Sequence, residues 1–355
     1  MSLINFAITD PHIHQWNPYT TPHSAALLVK LLGKYPQLMD KTVRLIKPKA
    51  LLETLGLTDN ALNSYMPTDY ARDCGPYNVD TVVHVEADWH EHRGAGVVNE
   101  TRWVSQLDFA AQGMRLGGIV GTADVRASYF SKVLKKHQLV TAEFRGIRRM
   151  ASFHPDAGVH RWCKQPHLYS DKRFLRGFEF FASTGLSFDA WCYSVQLPEL
   201  TALVKRFNST PVVVDHLATP AGLFGAVGRY TGKTAAARQA IFQQWQDDIA
   251  ELAQYKHVHA KLSGLMMPVL GHRFHEQGRQ ASVEAMLNLL SPMVEHAVQV
   301  FGIERLMYAS NFPMDKVSAS MPDIITAFAR MIAPHGENAL KQVFRDNALR
   351  FYRIS

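Results

Sequence analysis

Short apolar runs rich in β-branched residues alternate along this chain with stretches of helical spacing. The apolar runs predict strands near 4–9, 80–87, 117–124, 144–149, 186–191, 211–216, 258–263 and 305–310. The three-to-four periodicity predicts helices at 97–113, 127–137, 171–183, 196–208, 236–254 and 281–300, and a last one at 318–333. Leu200-Thr-Ala-Leu-Val-Lys-Arg-Phe207 shows the spacing of a surface helix. Val212-Val-Val-Asp215 is a continuous apolar run, as in a parallel strand buried on both faces. Eight strands, each followed by helix, predict an α/β fold of the (β/α)8 TIM-barrel type. The competing arrangement, an open doubly wound sheet, usually carries a glycine-rich phosphate turn after its first strand. This chain has Asp10-Pro-His-Ile-His14 there.

No linker, repeat or low-complexity stretch divides the sequence, so residues 1–355 read as a single barrel domain. Its irregular length lies after strands: 15–78 after the first, 217–235 after the sixth and 265–280 after the seventh. In a barrel such loops gather at the C-terminal mouth. Loops of this length are usually functional, and a cap over the mouth is expected. A helical piece near 36–46 and the segment Tyr65-Met-Pro-Thr-Asp-Tyr70 are candidate parts of it.

Composition narrows the class. The chain has 355 residues, 47% of them hydrophobic and 19% charged, in the range of a well-packed soluble protein. No apolar run reaches the roughly 18 residues of a membrane span, and no basic-then-apolar N-terminal segment suggests secretion. Three widely spaced cysteines (Cys74, Cys163, Cys192) suit reduced thiols in the cytoplasm and argue against a cysteine zinc site. The net charge of +7 comes without a dense Lys/Arg block. Nucleic acid and membrane partners are therefore not expected; an anionic small molecule is, and a homo-oligomer is allowed.

The residues that carry chemistry sit at predicted strand ends. His12 and His14 end the first apolar run, and strand alternation sets Asp10, His12 and His14 on one face. His216 ends the sixth strand, across a narrow barrel from the first. Three histidines and a water would suffice for tetrahedral zinc, so His12, His14 and His216 are candidate metal ligands. By alternation Asp215 points the other way and is a structural or supporting partner. Arg148, in Phe144-Arg-Gly-Ile-Arg148, is costly in a barrel mouth without an anion, and a substrate carboxylate or an internal acid such as Glu86 would satisfy it. Glu86 and Asp88 end the second strand, Asp189 the fifth, and Lys261 and Ser263 the seventh; these read first as a supporting network. Asn311 ends the eighth. Its amide orients a water or binds a carbonyl but takes no proton near neutral pH. Asp315, four residues on, either reaches back to Asn311 or caps a helix starting near Val317, the preferred reading.

Taken in order, these motifs resemble the amidohydrolase superfamily, and within it the amidohydrolase-2 group of TIM-barrel hydrolases that includes sugar-lactone and dicarboxylate-lactone hydrolases. The resemblance rests on Asp10-Pro-His-Ile-His14, Val85-Glu-Ala-Asp88, Phe144-Arg-Gly-Ile-Arg148, Leu186-Ser-Phe-Asp189, Val213-Val-Asp-His216, Lys261-Leu-Ser-Gly264, Ser310-Asn-Phe-Pro313 and the closing Asp346-Asn-Ala-Leu-Arg-Phe-Tyr352. It spans nearly the whole chain. It implies a barrel hydrolase acting at an ester-like or amide-like carbon, with His12, His14 and His216 in the site and an acid where Asn311 stands. Asp189 replaces the strand-five histidine of binuclear members, and Arg148 replaces a bridging lysine or glutamate. A binuclear metal centre is therefore not implied.

Three functions follow, in descending order. The first is hydrolysis of a small anionic lactone or related carboxylic ester, its carbonyl polarised by His12, His14 and His216 directly or through one divalent metal, zinc by preference. In it Asn311 positions water, while Arg148, Glu86 and Asp189 serve the substrate. The second is non-oxidative decarboxylation or another carbon–carbon lyase reaction on the same barrel. The third is a small-molecule binding protein that lost catalysis with the acid at 311.

Overall fold

The computed structural model describes residues 3–23, 26–58, 62–87, 89–91, 94–277 and 280–355. Asp88, one of the two acids assigned to the second strand end, lies outside the described residues.

Eight strands form one sheet in sequential order with every pair parallel. They are β1 (Ile8–Ile13), β2 (Val79–Val85), β3 (Arg115–Thr122), β4 (Phe144–Met150), β5 (Ser187–Trp191), β6 (Val212–Val214), β7 (Val258–Leu262) and β8 (Leu306–Tyr308). β8 and β1 approach through single contacts rather than a regular ladder. Asn311 N–H donates to the His12 carbonyl at 3.0 Å, and His14 N–H to the Phe312 carbonyl at 2.9 Å. The sheet is thus a nearly closed (β/α)8 barrel, as the alternation of apolar runs predicts. The later predicted helices appear close to their expected positions, at Phe130–Val140, Lys172–Ala182, Leu197–Arg206, Ala235–Ala253, Val283–Phe301 and Met321–Ile332. The predicted 97–113 helix is shorter, Val98–Val104, followed by a single 3₁₀ turn at Ala110–Gln112.

Two apolar layers hold the barrel. The larger packs the outward strand residues, such as Ile8, Val82 and Phe188, against the helices. A smaller cluster joins Val83, Val85, Val120, Val213 and Met307 to Ala348, Phe351 and Tyr352 of the chain end. The C-terminal helix Asn347–Phe351 thus inserts apolar side chains among strand residues, and Tyr352 carries a hydroxyl inward with them.

The first strand departs from the prediction. It begins four residues later than the apolar run, and its register against β2 is irregular between Asp10 and Ile13, around Pro11. That irregularity breaks the alternation. Asp10 does not join the histidines: its carboxylate accepts from Tyr70 OH at 2.7 Å, Ser310 N–H at 3.0 Å and His12 N–H at 3.1 Å. It ties the strand to the helix Pro67–Asp73 and to the chain after β8.

The 15–78 stretch is largely helical: Ala26–Leu32, Pro36–Ile46, Lys49–Leu55 and Pro67–Asp73. Val29, Met39, Val43 and Leu62 form a small core of its own, with Leu28, Leu32 and Leu52 packed on it. Gly56 lies against Pro268 and His275 of the loop after β7. Cys74, Cys163 and Cys192 are all buried and unpaired. Among the described residues no helix is long and apolar enough to cross a membrane.

Candidate active site

The structure brings His12, His14 and His216 together. The His12 ring centroid is 4.9 Å from that of His14 and 4.6 Å from that of His216. All three are buried, and burial is the main reason each is held neutral: His12 and His14 lie well below the ordinary histidine range and His216 is pushed down to about 3. His216 arrives through an unusual turn. β6 ends at Val214, and His216, Leu217, Ala218 and Thr219 all adopt positive φ (57°, 47°, 59° and 36°). Four successive non-glycine residues in the left-handed region are costly and need external support. Trp245 Nε1 donates to the Leu217 carbonyl at 2.9 Å, and Trp191 Nε1 to Thr219 Oγ1 at 3.0 Å. Opposite the ring, Gly264 at φ +65° leaves no room for a side chain: a Cβ there would lie 2.4 Å from His216 Cγ.

Because the strand has already ended, alternation does not govern Asp215. It turns inward and lies 3.3 Å from His12 Nδ1 and 3.0 Å from Lys261 Nζ. Lys261 is fully buried and sits among three partners, with Asp189 Oδ2 at 2.6 Å and His12 Nδ1 at 3.1 Å completing the set. Tyr352 OH donates to the same Asp189 oxygen at 2.7 Å. Burial would raise both carboxylates. It wins at Asp189, pushed up to about 6 against the pull of Lys261. At Asp215 the Lys261 ammonium and His12 outweigh burial and hold the carboxyl well below the usual range.

The tautomer of His12 depends on which neighbour it bonds. A neutral imidazole has one acceptor nitrogen, and an ammonium can only donate. Nδ1 faces both a donor, Lys261 Nζ at 3.1 Å, and an acceptor, Asp215 Oδ1 at 3.3 Å: bonded to Lys261 it accepts and Nε2 carries the proton, bonded to Asp215 it donates and Nε2 is the acceptor. Arg148 Nη1, also only a donor, lies 3.5 Å from that Nε2. In the first tautomer two N–H donors converge with no acceptor between them; in the second Arg148 donates to Nε2. His14 has a single arrangement. Its Nδ1 lies 2.8 Å from the Val85 carbonyl, which can only accept, so Nδ1 donates and Nε2 is a bare lone pair. His216 Nδ1 bonds Ser263 Oγ at 2.8 Å.

Arg148 is paired with Glu86: Nε donates to Glu86 Oε1 at 2.8 Å and Nη2 to the Glu86 carbonyl at 2.7 Å. Burial raises the Glu86 carboxyl, with Arg148 opposing. The pair leaves further N–H groups on both terminal nitrogens of Arg148. Trp191 walls the guanidinium at 5.6 Å.

Asn311 is adjacent through its backbone, and its side-chain amide nitrogen is committed to Asp315. Nδ2 donates to Asp315 Oδ1 at 3.0 Å, and φ at Asn311 is +55°. Asp315 therefore reaches back, and the helix-cap reading is corrected: the following helix starts at Met321 and is capped by Ser320. Asp315 is fully buried, and burial pushes its carboxyl up to about 7.

By donor type and spacing, His12, Asp189 and Asp215 could hold a metal ion. Lys261 already places a cation among those three donors, at 2.6, 3.0 and 3.1 Å. A three-histidine site would need bare nitrogens directed to one point. His12 turns Nδ1 to Lys261 and Asp215 and Nε2 toward the Arg148 guanidinium. The residues present do not fit a resident metal ion while Lys261 and Arg148 stay in place.

Lys261 and Asp215 are thus more central than the sequence suggests, and Tyr352, Trp191 and Gly264 were not singled out. Lys261 and Asp215 stood at recognisable strand ends. Tyr352 and Trp191 act from a distance in sequence that no local pattern encodes.

The amidohydrolase family profile matches residues 9–354. An uncharacterized protein of Sinorhizobium fredii, y4mH, is 28% identical over 350 residues, 99% of each chain. The L-fucono-1,5-lactonase of Burkholderia ambifaria is 26% identical over 262 residues, 72% of this chain and 76% of that one. A solved amidohydrolase from Burkholderia multivorans with bound zinc superposes with a TM-score of 0.71 at 20% identity, covering 99% of this chain and 100% of its own. With the family pattern running almost from end to end over a barrel of the same fold, the chain belongs to the amidohydrolase family.

Proposed function

We propose that this hydrolase opens a small anionic lactone or a related carboxylic ester by direct attack of water, using its own side chains in place of a metal. The observation that carries the reading is the approach of Arg148 Nη1 to His12 Nε2 at 3.5 Å, which presents two N–H donors together in the tautomer whose Nδ1 accepts from Lys261. An oxygen between them accepts from both, which is the geometry that stabilises a developing oxyanion. The bare Nε2 of His14 takes a proton from water as the water oxygen bonds to the carbonyl carbon. The same proton then passes to the leaving ring oxygen as the acyl–oxygen bond breaks. Water and lactone are thus converted to a hydroxy acid, with no change of oxidation state. The free N–H groups of Arg148 match a substrate carboxylate. The Lys261, Asp189 and Asp215 cluster acts through His12 by fixing its tautomer.

The similarity to a protein named as a lactonase supports the substrate class. Zinc in the similar Burkholderia multivorans structure supports the metal-assisted alternative, which here requires Lys261 or Arg148 to move.

The test is turnover on a panel of sugar and dicarboxylate lactones by wild type, His12→Ala and His14→Ala. Each variant should stay folded by circular dichroism and lose roughly 100-fold or more in kcat. Full activity in either variant removes that residue from the chemistry. Release of carbon dioxide from aromatic acids, with no lactone opened, would move the chain to the lyase reading.

A further inference from the structure

The insertion after β1 has an outer face that the barrel leaves uncovered. Of the 14 large hydrophobic side chains that are exposed among the described residues, seven lie between 26 and 57: Leu27, Leu31, Tyr35, Leu38, Leu45, Ile46 and Leu57. That is half the exposed apolar set in under a tenth of the chain, so it is not the scatter of single residues that any surface shows. Leu45 is 86% exposed, Leu27 73% and Leu31 67%. The helices have already used their other side, where Val29, Met39 and Val43 form the small core with Leu62. Leu27 and Leu31 are four apart and Leu38 and Leu45 seven apart, so each pair lines one face of its helix.

Charge says what chemistry covers this face. Residues 26–57 carry six basic side chains and two acidic ones, which is most of the chain's net +7. Arg44 pairs with Asp40 at 2.8 Å and Lys49 with Glu53 at 3.5 Å. Lys30, Lys34, Lys41 and Lys47 have no acidic partner among the described residues, and Lys41 lies between Leu38 and Leu45 on the same stripe. A second copy of the chain docked here would set lysines against lysines around a desolvated apolar centre, which like-charge repulsion opposes. Leucines interleaved with lysines match a surface with apolar depth beneath anionic groups.

We propose that the outer face of residues 26–57 docks on an anionic lipid surface, with the leucines and Ile46 below the headgroups and the lysines at the phosphates. The contact is peripheral: no helix of the described residues is long and apolar enough to cross a membrane. It is independent of the reaction assigned to the barrel.

The test is co-sedimentation of the full chain with phosphatidylcholine vesicles, with and without phosphatidylglycerol. The proposal expects about tenfold or more tighter binding when phosphatidylglycerol is present, weakening as salt is raised. The double variant Leu45→Glu/Ile46→Glu should lose the binding while keeping its circular dichroism, melting temperature and vesicle-free lactone turnover, because both side chains are exposed. Absence of binding to phosphatidylglycerol vesicles overturns the proposal, as does equal binding by the double variant. A dimer in sedimentation velocity that the double variant dissolves assigns the face to a second copy instead.

Discussion

His12 shows how much one side chain's neighbours decide. Its ring alone could bind metal, donate or accept; accepting from Lys261 at Nδ1 makes it a donor at Nε2, while donating to Asp215 would make Nε2 an acceptor. Lysine occupies the place among His12, Asp189 and Asp215 that a metal ion would take. Lys261→Ala should therefore do two things. It leaves two buried carboxylates without their cation, lowering stability at pH 8 by roughly 3–5 kcal/mol in urea unfolding. It also opens the donor set, so the variant should take up zinc in calorimetry where wild type does not. Zinc binding that is equal in both proteins would deny that Lys261 fills the site. Asn311 makes the complementary point. It resembles a lost acid, but its amide donates to Asp315 across 3.0 Å. Asn311→Asp would set two buried carboxyls against each other. It should lower the melting temperature above pH 7, where Asp315 ionises, without raising lactone turnover above that of the natural protein. Activity appearing only in that variant would mark the natural protein as a binder.

At the scale of elements, the sequence was most legible where periodicity is strong. The runs at 144–149, 186–191 and 258–263 became strands almost unchanged, and Asp189 and Lys261 stand on them. It was least legible where the backbone leaves the regular pattern. β1 starts later than its apolar run, and Asp10, next to the irregular register around Pro11, turns to Tyr70 and Ser310 instead of joining the histidines. The left-handed turn after Val214 carried Asp215 inward against the alternation of a strand that had already ended. No pattern of apolar and polar positions announces such a turn, because tryptophan donors from β5 and from the helix Ala235–Ala253 hold it. Gly264 is the local signal that can be read afterwards. Gly264→Ala meets both a positive φ and the His216 ring. It should cost about 1–3 kcal/mol of stability and lower kcat even at temperatures where the variant is folded. Unchanged turnover would show that the position of His216 is not critical.

Across the whole molecule, buried neutral histidines set the response to acid. Burial pushes His137, His154, His259 and His272 down to about 4 and His216 to about 3. Unfolded, each binds a proton below about 6.5, so the unfolded state takes up more protons as pH falls and stability drops from that point. The loss is complete once pH passes the folded-state values near 3–4. Asp189 and Asp315 oppose it. Their carboxyls are raised to about 6 and about 7, so the folded state gains protons first as pH falls toward 3.8. The histidines held neutral, His12 and His14 among them, outnumber the raised acids, which include Glu86 and Asp10, so the net effect is destabilising and the unfolding midpoint in urea should fall steadily between pH 6.5 and 4.5. A flat or rising midpoint would contradict the burial of these rings as neutral groups.

In the mechanism proposed, the barrel opens its substrate with His12, Arg148 and His14 rather than with a bound metal. The most direct measurement is kcat on the responsive lactone for untagged wild type stripped with a chelator, with residual metal quantified in the same sample. Undiminished turnover without metal, abolished in His14→Ala, is the predicted result. Turnover that vanishes on stripping and returns in proportion to added zinc would contradict the account and place the metal where Lys261 or Arg148 now stands.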